Sequence, residues 1–110
     1  MGEQQWEVAF SEEVADWYLG LHEQDVPVAD RVIELLKTRG PMLGMPHSKG
    51  LGKGLRELRF TCENVARRIT YYWDDQRRAI TLTTFGKQRQ NEQREVTRAT
   101  QSMRRHQEGR

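Results

Sequence analysis

A chain of 110 residues is long enough for one hydrophobic core and too short for two independent ones. With 35% hydrophobic and 31% charged residues the core must be small and the surface strongly hydrated. The single cysteine, Cys62, excludes an internal disulfide and a thiolate zinc site, and neither an apolar leader after Met1 nor a run of about 18 apolar residues occurs, so a cytoplasmic protein with no membrane partner is expected.

The formal net charge of +2 conceals a division: residues 1–36 carry nine acids against one base, Arg31, whereas the remainder carries 17 bases against seven acids. A basic surface of that kind attracts polyanions by neutralising phosphates and releasing counterions, which makes nucleic acid the leading partner class. A solvated charged face is the alternative reading of the same charges.

In chain order, Trp6 to Phe10 alternates as a short strand, and the Ser11 hydroxyl is placed to cap the helix that follows. Val14, Trp17, Tyr18 and Leu21 fall at helical spacing behind Glu12, Glu13 and Asp16, which suit the positive end of the helix dipole. This helix ends near Gly20 to Asp25. A second helix spans about Val28 to Thr38, with Val28, Val32, Leu35 and Leu36 on one side and Gly40-Pro41 as its stop. Gly40 to Gly54, with five glycines and two prolines, is expected to be a loop that carries Lys49 and Lys53. Three strands follow at Leu55–Phe60, Val65–Trp73 and Ala79–Phe85, joined so tightly that they imply an antiparallel meander. The tail from Asn91 to about Gln107 offers only Val96, Ala99 and Met103 at helical intervals, so it reads as a helix packed by one narrow stripe or as partly disordered. The expected architecture is a single α+β domain over residues 1–110, a helical hairpin packed on one face of an antiparallel sheet with a C-terminal helix, and with residues 1–5 and 105–110 as flexible ends.

Strand side chains alternate between faces. If Leu58, Phe60, Ile69 and Tyr71 point to the core, then Glu57, Arg59, Arg68 and Tyr72 project together from the other, open face. His22, His47 and His106 lie in unrelated segments without ligand spacing, so no metal site and no cofactor is expected. Cys62 falls in a turn with no base arranged beside it, which argues against nucleophilic catalysis. Gly50, Gly52 and Gly54 precede a strand rather than a helix, so they serve turns and not a phosphate loop.

These residues also carry a resemblance. The run Pro46 to Arg59, PHSKGLGKGLRELR, resembles the P-x-x-K-x-L-x-x-G-L-x-E-L-R signature of the HigB-like, phage Gp49-like branch of the RelE/ParE toxin superfamily. Arg68-Ile69-Thr70-Tyr71-Tyr72 resembles its R-I-x-Y-[YF] strand, and Thr84-Phe85-Gly86-Lys87 its F-x-K motif in the last strand. The match spans roughly residues 6 to 100. It implies a RelE/ParE-like fold and the toxin of a type II toxin-antitoxin system: an endonuclease that cleaves messenger RNA on the ribosome and is neutralised by a cognate helix-turn-helix antitoxin, touching DNA only through the antitoxin complex. The chain departs from the pattern in carrying Arg56 where an aromatic is common, and Gln88 and Asn91-Glu92 where a second base and a proline are common. Glu57 and Arg94 stand where the RelE branch has lysines and a tyrosine, so the full RelE catalytic set is absent.

Metal-independent RNA cleavage of this type needs a base for the 2′-hydroxyl proton, cations for the pentavalent phosphate and an acid for the leaving 5′-oxygen. Arg59, Arg68 and Lys87 are the candidate clamp, because guanidinium forks match phosphate oxygens and lysine supplies a mobile point charge. Salt-bridge partnership with Glu57, Asp74 or Asp75 is their structural alternative. Glu57, the sole carboxylate on the face, is a candidate base or a residue that positions an arginine. Lys49, Lys53, Tyr72, Arg89 and Arg94 are candidate RNA contacts, Tyr72 through stacking unless it simply packs. Two other functions share the fold: a ParE-like inhibitor of DNA gyrase acting by protein binding, and a catalytically silent phage-derived homologue that keeps only antitoxin binding.

Overall fold

The computed structural model describes residues 5–88 and 90–109. Strand β1 (Glu7–Ala9) leads into helix α1 (Glu12–Leu19), and a turn of 3-10 helix at Glu23–Asp25 feeds directly into α2 (Val26–Arg39). A second such turn, Gly40–Met42, precedes β2 (Ser48–Gly52), β3 (Leu55–Cys62), β4 (Val65–Trp73), β5 (Arg78–Gly86) and α3 (Glu92–Glu108).

Local chemistry explains the boundaries. The Ser11 hydroxyl caps α1 by accepting from the Val14 amide at 3.1 Å, and donates to the Leu82 carbonyl at 2.9 Å, so the cap also fastens α1 to β5. Gly40 ends α2 with φ of 58°, and a Cβ at that position would run into the Trp6 indole. Lys53 and Gly54 between β2 and β3, and Glu63 and Asn64 between β3 and β4, all have positive φ, the backbone that two-residue hairpin turns require.

The strands form one five-stranded sheet in the order β1-β5-β4-β3-β2. Three neighbouring pairs are antiparallel, as the tight turns dictate, but β1 runs parallel to β5 with Val8 opposite Ala79. The sheet is therefore mixed rather than purely antiparallel. No hairpin sets the direction of β1, because the whole length of the chain between them separates it from β5.

The stretch expected to be a loop contains β2. Gly50 and Gly52 have no strand propensity of their own, and pairing supplies what they lack: Ser48 lies opposite Leu58 and Lys49 opposite Glu57, with a register shift between Gly50 and Gly52.

The core has two parts on opposite faces. The α1–α2 side packs Val14, Val32, Ile33 and Leu36 on Leu58, Ile69, Tyr71 and Ala79. On the other side Leu55, Tyr72, Ile80 and Leu82 pack under Ala99 and Met103 of α3, with Val96 half-buried beside them. That second face is consequently not open along its length, as alternation alone implied. The stripe on α3 is narrow, but polar contacts add to it: both terminal nitrogens of Arg98 donate to the Glu13 carboxylate at 2.6 and 2.9 Å, and that carboxylate also accepts from the Thr84 amide at 2.8 Å. The helix continues through Arg105 to Glu108. Among the described residues, no helix is long and apolar enough to cross a membrane.

Candidate active site

Where α3 stops covering the sheet, β3 and β4 bring charged residues together. Glu57 and Arg59 alternate with the core residue Leu58, and in the antiparallel register Arg59 faces Arg68, which in turn faces Phe85 on β5. Directly opposed residues share a face, so Lys49, Glu57, Arg59, Arg68 and Phe85 belong to one surface spanning four strands. Glu57 and Arg68 are buried, at 4% and 7% exposure, which is uncommon for charged groups and requires pairing. The pairing is there: Glu57 Oε2 lies 3.7 Å from Nε of Arg68 and 3.8 Å from Nε of Arg59.

The Arg68 guanidinium also donates to the Arg67 carbonyl at 3.1 Å. Arg59 reaches the Met45 sulfur at 3.4 Å, while its Nε is buried without a hydrogen bond among the described residues. The Glu57 carboxylate likewise accepts no hydrogen bond from them. The cluster is thus held by charge more than by saturated hydrogen bonding, and its cations keep donors free for an anionic ligand.

Burial pushes the Glu57 carboxyl above its ordinary range. Arg68 and Arg59 pull it down, the Glu92 charge pushes it up and Lys49 pulls down, with burial dominating. Burial also lowers Arg68; Glu57 opposes that, neighbouring Arg59 adds to it and Glu92 opposes it. The result is a partly desolvated carboxylate beside more cationic charge than it neutralises, an arrangement suited to moving a proton next to a phosphate.

Lys87, just past β5, is anchored by its amide to the Ala66 carbonyl at 2.6 Å, and its ammonium lies 3.7 Å from Glu92 at the start of α3. It sits at the rim with a half-exposed side chain. Lys49 is on β2, on the same face as Glu57, and belongs to this cluster rather than to a detached loop. Lys53 is exposed in the β2–β3 turn and Arg94 is exposed in the first turn of α3. Arg89 lies outside the described residues.

Tyr72 is brought elsewhere. It is 4% exposed beneath α3, its hydroxyl 2.6 Å from Nδ1 of His106 and its ring edge-on to that imidazole, so it is not offered to a base while α3 stays in place. The physical reason is the second core, which claims the half of the face where Tyr72 and Leu55 stand. Sequence reasoning passed over two residues near the cluster. Phe85 lies opposite Arg68 as an apolar neighbour, although alternation from Ile80 and Leu82 would put it on the other face; a register shift in the β4–β5 pairing brings it here, and nothing in the sequence signals that shift. Glu92 adds negative charge at the rim, signalled only by its place in the first turn of the last helix. Among the described residues, no group of three or more His, Cys, Asp or Glu side chains is arranged to hold a metal ion.

A five-stranded mixed sheet covered by helices on both faces, with the C-terminal helix on one of them, is a RelE-like fold. The chain is similar in structure to a free-state mutant of the E. coli toxin RelE in which two arginines are replaced by alanine, with a TM-score of 0.57 and 14% identity, covering 92% of this chain and 97% of that one. No protein with a curated description matches the sequence. The family model described as "Phage derived protein Gp49-like (DUF891)" matches residues 16–104, and the chain belongs to that family.

Proposed function

We propose that this protein is the toxin of a type II toxin-antitoxin pair, in the HigB-like branch of the RelE/ParE superfamily, and that it cleaves messenger RNA on the ribosome without a metal. The observation that carries the reading is the buried Glu57 carboxylate set 3.7 and 3.8 Å from the guanidinium nitrogens of Arg68 and Arg59 on an otherwise cationic surface. The RelE-like fold and the Gp49-like family support it.

Glu57, with its affinity for protons raised, takes the proton from a ribose 2′-hydroxyl. The resulting oxygen attacks the adjacent phosphorus, and Arg59 and Arg68 offset the charge that grows on the non-bridging oxygens. Lys87 brings mobile positive charge to the leaving 5′-oxygen, which takes a proton from solvent water as the P–O5′ bond breaks, while Glu57 returns its own proton to solvent. The products are a 2′,3′-cyclic phosphate and a free 5′-hydroxyl. A helix-turn-helix antitoxin is the partner that restrains the activity, and DNA is engaged through it.

Induction in cells followed by mapping of new messenger 5′ ends tests the proposal. The native chain should give codon-phased cuts bearing 5′-hydroxyls, and Arg68→Ala should give none. Intact messengers with stalled gyrase-DNA complexes would sink it. With purified ribosomes the cleavage should persist in excess chelator.

A further inference from the structure

Helix α3 carries a second cationic surface outside the catalytic cluster. Arg94, Thr97, Gln101, Arg104 and Arg105 recur at steps of three and four, so they share one face, and all five are exposed. Among the described residues, the other lysine and arginine of this region are engaged: Arg98 is held by Glu13 and Glu95, and Lys87 by Glu92. The side chains of Arg94, Arg104 and Arg105 make no ion pair or hydrogen bond among the described residues. Helix stability does not account for Arg94, since a cation in the first turn opposes the helix dipole, and Arg98 one turn later adds like-charge repulsion.

From this we infer that the outer face of α3 binds the backbone of double-helical RNA. Arg94 to Arg105 spans roughly 16 Å at about 1.5 Å per residue, long enough to reach several phosphates. Thr97 and Gln101 between them offer hydroxyl and amide groups to phosphate and 2′-hydroxyl. No phenylalanine, tyrosine or tryptophan occurs from residue 86 to 110, so the face offers none of the large aromatic rings on which unpaired bases most often stack. Shape and 2′-hydroxyl contact are how paired RNA is recognised. Glu92, whose charge acts on Glu57 and Arg68, opens α3, so the helix leads away from the cleavage cluster. The single strand to be cut and the folded RNA would therefore be held by adjoining surfaces. The inference deepens the proposed action on the ribosome, where folded RNA surrounds the messenger, and rests on that reading.

The test uses the purified chain with three probes: an RNA duplex of about 16 base pairs, one of its strands alone, and a DNA duplex of the same sequence. The native protein should prefer the RNA duplex to both others. Arg104→Gln/Arg105→Gln should weaken duplex binding about tenfold and reduce the salt slope by nearly two, at about 0.9 for each phosphate left without its arginine. Arg104→Lys/Arg105→Lys should retain most of the affinity. An unchanged duplex affinity in the glutamine variant, or an equal loss on the single strand, would overturn the inference. So would a variant that keeps its duplex affinity and instead fails to bind the antitoxin. If the native chain cleaves no messenger yet shows the duplex preference and its loss in the glutamine variant, the surface stands and the endonuclease reading fails.

Discussion

Glu57 is the residue at which stability and the proposed activity meet. A carboxyl whose folded value lies above its unfolded one stabilises the fold while protonated, and that contribution is lost as pH rises through the folded value. Glu57→Gln should therefore gain stability relative to the native chain as the solution is raised from the ordinary carboxylate range to neutrality, read as the difference between urea midpoints. A constant difference across that range would contradict the burial argument. The proposed cleavage should respond in the opposite sense, rising with pH as Glu57, the proposed base, loses its proton, with an acidic limb above the usual carboxylate range that Glu57→Gln abolishes. Glu57, Arg59 and Arg68 were legible in the sequence because alternation about Leu58 and Ile69 puts them on one face. Lys49 was read as an RNA contact on a loop, but its nearness to Glu57, like that of Glu92, was not legible, since it depends on cross-strand register and on where α3 begins.

At the scale of elements, α3 is held by few apolar atoms and one polar latch. Met103→Ala should cost about 2–3 kcal/mol by removing a buried side chain, measured by denaturant unfolding. Burial alone would raise the Glu13 carboxyl, but the Arg98 hydrogen bonds, the Thr84 amide and the Arg98 charge together hold it below its usual range. Its contribution is accordingly present above the unfolded value and is lost as pH falls through the folded one. Glu13→Gln should cost about 1 kcal/mol at neutral pH, discounted because more than a third of each partner side chain is exposed, and the cost should vanish in acid. A pH-independent deficit would mean that Glu13 acts through shape alone. Gly40→Ala, which must bring a side chain into the Trp6 indole at a positive φ, should lose about 2–3 kcal/mol. The helices were readable from period and caps. Strand β2 was hidden because its glycines form a strand only when β3 offers a ladder, and the covering of the second face was hidden because Ala99 and Met103 leave a faint stripe in a polar helix.

Over the whole molecule, the uneven charge seen along the chain becomes a division between faces. The acidic α1–α2 hairpin lies on one side of the sheet, and α3 with the arginine cluster lies on the other. The fold class was legible because the helical hairpin and the three-strand meander each had one dominant period. The direction of β1 was not, because no local turn links it to its neighbour.

That parallel pairing of β1 with β5 fixes when the protein can exist. Until Arg78 to Ile80 are made, β1 has no neighbour and Ala79 is missing from the core under the helical hairpin. A chain ending at Arg77 should remain unfolded by circular dichroism and be digested by protease as fast as a disordered peptide. A protein proposed to attack translating ribosomes is thereby inert until that strand has been made, and the ribosome building it meets no finished toxin before then.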